Sequence, residues 1–134
     1  MNRISWDEYF LSLAKLISTR STCPRASVGA IIVKDKRIIA TGYNGAPAGA
    51  HHCLDYGCDI IDGHCIRAIH AETNAIAQAA RFGIPIEGAT LYYWDSKGRL
   101  PDACIKCSQL IVASGIDLIV TESGEYLPNG KKIR

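Results

Sequence analysis

The sequence contains no apolar run approaching the eighteen or so residues that span a bilayer, so no membrane-crossing helix is expected. No secretory leader is expected either, since Asp7 and Glu8 stand where its apolar stretch would be. A cytoplasmic protein is the expectation. Neither sign of charge is in large excess, with 15 Lys and Arg against 13 Asp and Glu for a net +2. Proteins that grip nucleic acid or a membrane surface carry a clustered basic face, and this balance argues against both. The basic residues Lys131, Lys132 and Arg134 near the C-terminus are read as a solvated tail. There is no internal repeat and no low-complexity segment.

What is there is a globular balance, 48% apolar and 21% charged over 134 residues, enough for one hydrophobic core and too short for two ordinary domains. Residues 1–134 are therefore read as one domain. Six cysteines without an export signal are read first as metal ligands or catalytic groups, and only then as disulfides.

Apolar positions Trp6, Tyr9, Phe10, Leu13, Leu16 and Ile17 recur at helical spacing, with Ser5 as N-cap. Two β-branched runs, Val28 to Val33 and Ile38 to Thr41, flank the charged segment Lys34-Asp35-Lys36-Arg37 and read as a β-hairpin. The first run is apolar almost throughout, which predicts a strand covered on both faces. Between Gly42 and Gly63 the chain is rich in glycine and has no sustained period, a long loop needing another source of order. A helix follows over Ala71 to Phe82, ended by Gly83 and Pro85. Then come a strand over Ala89 to Trp94, a helix over Ile105 to Ser114 closed by Gly115, and a strand over Ile116 to Thr121. This order implies an α/β fold, a mixed sheet with helices packed on it.

Two short motifs open the last two helices, His70-Ala71-Glu72 and Cys104-Ile105-Lys106-Cys107. One imidazole and two thiolates leave the fourth tetrahedral position of zinc open, which is the catalytic pattern. Helix N-termini favour the thiolate and carboxylate charges. Glu72 turns such a centre into an enzyme: zinc lowers the pKa of a bound water to about 7, and the carboxylate takes the proton and returns it to a leaving group. The predicted chemistry is hydrolytic deamination, zinc hydroxide attacking an amine-bearing ring carbon. C-x-x-C alone could equally be a redox pair or half of a structural zinc site, and H-x-E alone says less; together and in this order they form the zinc-deaminase signature.

Further blocks carry a specific resemblance: Val28-Gly29-Ala30-Ile31-Ile32-Val33, Thr41-Gly42-Tyr43-Asn44-Gly45-Ala46-Pro47, Cys65 to Ile76, and Glu87-Gly88-Ala89-Thr90-Leu91-Tyr92. From Trp6 to Val120 the chain resembles the deoxycytidylate (dCMP) deaminase family, ComE-type proteins included, within the cytidine deaminase superfamily. The block from Gly42 to Pro47 separates that family from tRNA adenosine deaminases and nucleoside cytidine deaminases. The resemblance implies a three-layer α/β/α fold around a mixed sheet of about five strands, and conversion of dCMP to dUMP and ammonia as a source of dUMP for thymidylate synthesis. It implies a catalytic Zn2+ held by His70, Cys104 and Cys107, with Glu72 as proton shuttle. Asn44 would contact the deoxyribose; Arg25, for the phosphate, and Ala71 are the further substrate-binding candidates. Homo-oligomers, and regulation by dCTP and dTTP, occur among family members.

Two departures stand out. Ala103 precedes Cys104 where the family usually has Pro, with Pro101 two residues earlier and a longer segment from Asp95 to Asp102; Ala68 stands where Thr is common. Arg67 and Asn74 match the family but read as a surface or subunit salt bridge and a helix-face polar residue. Cys23, Cys53 and His64, with Cys65 or Cys58 as a fourth, resemble the ligands of a second, structural Zn2+ in some members, which would order the long loop. The alternatives are a zinc deaminase of another nucleotide, nucleoside or base, and a non-catalytic zinc-binding competence or accessory module. Glu72, a carboxylate that is not a ligand, favours an enzyme over the latter.

Overall fold

The computed structural model describes residues 2–47, 49–58, 60–61, 64–65, 69–101 and 105–134, the side chains of residues 64, 65 and 105–108 excepted. Helix α1, Trp6–Ser18, begins at Ser5, whose hydroxyl accepts from the Glu8 N–H at 3.1 Å. Strands β1, Val28–Lys34, and β2, Arg37–Tyr43, form the expected antiparallel hairpin. Its turn is tighter than the four charged residues suggested. Only Asp35 and Lys36 lie outside the strands, at φ 53° and 62°, the doubly left-handed turn that matches strand twist.

The long loop contains a short helix α2, Cys53–Tyr56, and a two-stranded ribbon of β3, Ile60–Ile61, with β4, His64–Cys65. Helix α3, Ala71–Arg81, follows, then strand β5, Thr90–Asp95, helix α4, Ile105–Ala113, and strands β6, Leu118–Thr121, and β7, Gly124–Tyr126. The main sheet runs β2-β1-β5-β6-β7, antiparallel except for the parallel pair β5 and β6. It is the expected five-stranded mixed sheet.

Alternation along the strands sorts the core into two layers. Ile31, Val33, Tyr92 and Val120 pack with Phe10 and Ala14 of α1 on one face. Ala30, Ile32, Leu91, Tyr93 and Ile119 pack with Ala75, Ile76 and Ala79 of α3 and Ile111 of α4 on the other. Six of the seven β1 residues are buried, as their continuous apolar run predicts. The C-terminal tail is not simply solvated. Its backbone returns along β7, Glu125 donating to the Arg134 carbonyl at 2.8 Å, and the Arg134 guanidinium pairs with Glu125 at 3.1 Å. Exposed side chains do not prevent their backbone from covering a sheet edge. No helix among the described residues is long and apolar enough to cross a membrane.

Candidate active site

Chain direction gathers the site at one end of the sheet. Helix α3 ends before β5 begins and α4 starts after β5 ends, so both run opposite to β5. Their N-termini therefore lie beyond its carboxyl end, where α/β sheets place their ligands. Because β1 is antiparallel to β5, with Val28 opposite Asp95, and β2 is antiparallel to β1, the start of β1 and the end of β2 lie at that same end.

His70 is the N-cap of α3, in extended conformation, with its side chain 44% exposed. Glu72, two residues on, is 1% exposed. The two meet at 3.5 Å, His70 Nδ1 to Glu72 Oε1. Neither carboxylate oxygen of Glu72 has a hydrogen-bond partner among the described residues. A buried carboxylate left so costs stability, and proteins keep one where a ligand or a reaction uses it. A half-exposed imidazole beside an unpartnered buried carboxylate, at a helix N-terminus, fits a metal centre with a proton acceptor next to it. Of the two expected thiol ligands, Cys107 lies in the first turn of α4 with its side chain outside the described residues, and Cys104 lies wholly outside them. Among the described residues no three His, Cys, Asp or Glu side chains gather as a metal site.

Gly42 sets how closely α3 approaches. A side-chain carbon there would overlap the Ala71 carbonyl oxygen and come within 2.6 Å of the Ala75 nitrogen. Ala71, expected at the substrate, is 1% exposed and packs on β2 through this contact. Two side chains one helical turn apart complete the docking. Asn74 donates to the Tyr43 carbonyl, and Gln78 accepts from the Thr41 N–H, both at 2.8 Å. They satisfy outward-facing backbone groups of edge strand β2, so the polar helix-face reading of Asn74 gains a partner. Gln78 escaped sequence reasoning, although an i, i+4 amide pair in an alanine-rich helix is a visible signal.

Asn44 is buried at a junction of three segments. Its Oδ1 accepts from the Val28 N–H at 2.9 Å, its Nδ2 donates to the Ala26 carbonyl at 2.8 Å, and its backbone carbonyl accepts from Ser21 Oγ at 3.0 Å. Beside it, Gly45 exchanges two backbone hydrogen bonds with Ile69, the residue before His70. Asn44 is thus braced against the start of β1 and one residue from a direct link to the α3 N-cap. One Nδ2 proton and further Oδ1 capacity remain beyond these bonds. Arg25 is exposed and adjoins Ala26 at this junction.

The cysteines of the possible second site are partly visible. Thr22 ties the two segments together: its carbonyl accepts from the Leu54 N–H and its hydroxyl meets His52 Nδ1, each at 3.1 Å. This brings the backbones of Cys23 and Cys53 alongside each other. Cys23, Cys53 and Cys58 are in no disulfide. The His64 and Cys65 side chains lie outside the described residues, as do Arg67, Ala68 and Ala103.

The sequence model of the cytidine and deoxycytidylate deaminase zinc-binding region matches residues 4–123. The chain is 51% identical over 119 residues to ComE operon protein 2 of Bacillus subtilis (strain 168), a match covering 89% of this chain and 60% of that protein. It is 42% identical over 134 residues to deoxycytidylate deaminase of Mycobacterium phage D29, covering 90% of this chain and 96% of the phage protein. Among solved structures, dCMP deaminase of cyanophage S-TIM5 in complex with dCMP and dUMP superposes with a TM-score of 0.71 at 32% identity, over 90% of this chain and 83% of that one.

Proposed function

The chain belongs to the cytidine and deoxycytidylate deaminase zinc-binding family, and from that premise we propose that it hydrolyses dCMP to dUMP and ammonia. The observation that carries the reading is the buried Glu72 carboxylate, unpartnered among the described residues, beside His70 at the start of α3. The phage relative supports dCMP as substrate, being a deoxycytidylate deaminase matched over nearly its whole length. Supply of dUMP for thymidylate synthesis follows from the product.

His70, Cys104 and Cys107 would hold the metal, and zinc bound there supplies the polarising charge that makes water a nucleophile near neutral pH. Glu72 accepts one proton of the attacking water on a carboxylate oxygen and delivers it to the ring nitrogen, then takes the second proton from the oxygen newly bonded to the ring carbon and passes it to the departing amine, which leaves as ammonia. Its burial keeps bulk solvent from exchanging that proton. Asn44 presents its remaining amide capacity to the sugar from a braced backbone, and Arg25 offers a guanidinium to the phosphate. Ala71, packed on Gly42, acts by fixing the floor beneath them.

We extend the proposal to a second, structural zinc on Cys23, Cys53, His64 and Cys65 or Cys58, which the Thr22 bridge supports by bringing two of those segments together. A homo-oligomer, dCTP and dTTP as effectors, and a cytoplasmic location belong to the same reading on family grounds. The test is the fall in cytosine absorbance when zinc-loaded protein is incubated in parallel with dCMP, CMP, deoxycytidine and dCTP. Selective loss with dCMP is expected; loss with none of them refutes the assignment.

A further inference from the structure

Asp95 is the buried carboxylate the proposed chemistry leaves unused. It ends β5, its side chain is 2% exposed, and it organises the segment that leads to the C-x-x-C motif. Its Oδ1 accepts from the Lys97 N–H at 2.7 Å, and its backbone carbonyl accepts from the Gly98 N–H at 2.9 Å, closing a turn that Gly98 completes at φ 68°. Its Oδ2 accepts from Arg99 Nε at 3.1 Å, while half of the Arg99 side chain is exposed.

This turn is stitched to the substrate side of the site. Ser96 donates its backbone N–H to the Ser27 carbonyl at 2.8 Å, and the Ser27 N–H donates back to Ser96 Oγ at 2.9 Å. Ser27 lies two residues from Arg25 and directly before Val28, which is paired with Asp95 across the sheet and bonded to the Asn44 side chain. Arg25, Asn44 and Arg99 therefore sit on three adjoining segments at the carboxyl end of β5, the end that holds His70 and Glu72.

We propose that Arg99, held in orientation by the buried Asp95, is a second phosphate-recognition residue of this site, and that Asp95 is its positioning residue. The inference rests on the nucleoside-monophosphate reading above. A solvated arginine has no need of a buried carboxylate to fix it, since an exposed ion pair adds little to stability. A guanidinium that must meet an oxyanion does gain from being pre-set, because less rotamer freedom is lost on binding. The tether takes Nε and gives the two Nη groups the task of meeting phosphate oxygens, in the fork geometry that suits them.

The test uses zinc-loaded protein and measures KM and kcat for dCMP together with inhibition by inorganic phosphate. Arg99→Gln is expected to raise KM about tenfold or more, with the loss carried mainly by KM, and to weaken phosphate inhibition in step. Arg99→Lys should recover part of both, and Asp95→Asn should raise KM in the same direction with Arg99 intact. Thermal melting of the Arg99 variants, unchanged within about 2 °C, separates this from a folding defect. If wild-type protein turns over dCMP and Arg99→Gln keeps the wild-type KM and phosphate inhibition, the inference falls alone. If the wild type turns over no dCMP, the deaminase reading falls and takes the inference with it.

Discussion

Removing the Glu72 carboxylate should stabilise the metal-free protein while abolishing its chemistry. Glu72 is 1% exposed and both its oxygens lack partners among the described residues, although His70 Nδ1 is only 3.5 Å away. Leaving a buried polar group unsatisfied costs about 1–3 kcal/mol, and more when it is charged. Leucine asks for no partner, although its side chain is larger than that of glutamate by about one methyl group, so Glu72→Leu should recover up to about that amount in chelator-treated protein. At about 4 °C per kcal/mol for a chain of this size, its Tm should rise by up to about 4–12 °C. Glu72→Gln, which retains hydrogen-bonding capacity but cannot shuttle a proton, should bind zinc and lose about 10²–10⁴ in kcat, the range attributed to a general acid and base. Differential scanning calorimetry of the chelated proteins and the dCMP absorbance assay read the two effects. A metal-free Glu72→Leu protein that melts at or below the wild type would show the carboxylate to be satisfied already. A Glu72→Gln protein with more than a tenth of wild-type turnover would remove its role as the shuttle.

Chelation should abolish dCMP turnover, and metal analysis after reconstitution should find about two zinc ions per chain in the wild type, with one remaining in Cys23→Ser and that one sufficient for turnover. One zinc per wild-type chain would remove the second site. Gly42→Ala should lower stability by about 1–3 kcal/mol in urea unfolding, because its methyl group meets the backbone of α3 at Ala71 and Ala75. Tyr92 donates to Asp7 Oδ1 at 2.7 Å, and burial, reinforced by that bond, raises its pKa above the ordinary tyrosine value. The raised value makes the neutral phenol the stabilising form. Its contribution is complete below about pH 10 and is lost as pH rises toward the folded pKa, by up to about 1.4 kcal/mol per pH unit. Melting at intervals from pH 9 to 11 should show Tyr92→Phe falling less steeply than the wild type; parallel slopes would refute the linkage.

The sequence is most legible where one physical signal acts alone. Burial on two faces made β1 a continuous apolar run, and the six buried residues from Val28 to Val33 follow it. Ser5 announced α1 because an N-cap needs only a local hydroxyl. His70 and Glu72 stand out in the sequence because the motif has fixed residue types at fixed spacing, and the structure sets them 3.5 Å apart. Less could be read where order comes from distant backbone. Strand β7 is three residues, Gly124–Tyr126, held by β6 on one side and the returning tail on the other, and no periodicity can register in so short a piece. Helix α2 and the ribbon of β3 and β4 were hidden for the same reason. Thr22 and Ser27 act by bonding segments tens of residues away, and nothing in their own neighbourhoods marks them.

Those long-range bonds bear on why Gly42-Tyr43-Asn44-Gly45 sits where it does. Gly42 admits α3, Tyr43 receives Asn74, Asn44 braces Ala26 and Val28, and Gly45 exchanges bonds with Ile69. Four successive residues thus join the helix carrying Glu72, the strand aligned with Asp95 and the segment leading to His70. A shift of one residue in this stretch would turn Asn44 away from β1 and set a side chain where Gly42 must be bare. The spacing between the Glu72 carboxylate and the Asn44 amide is therefore fixed by backbone on both sides rather than by contact between the two. It follows that substitutions within this stretch should disturb binding and chemistry together, whereas Arg99, tethered on the far side of β1 through Asp95, can be changed with its effect confined to binding.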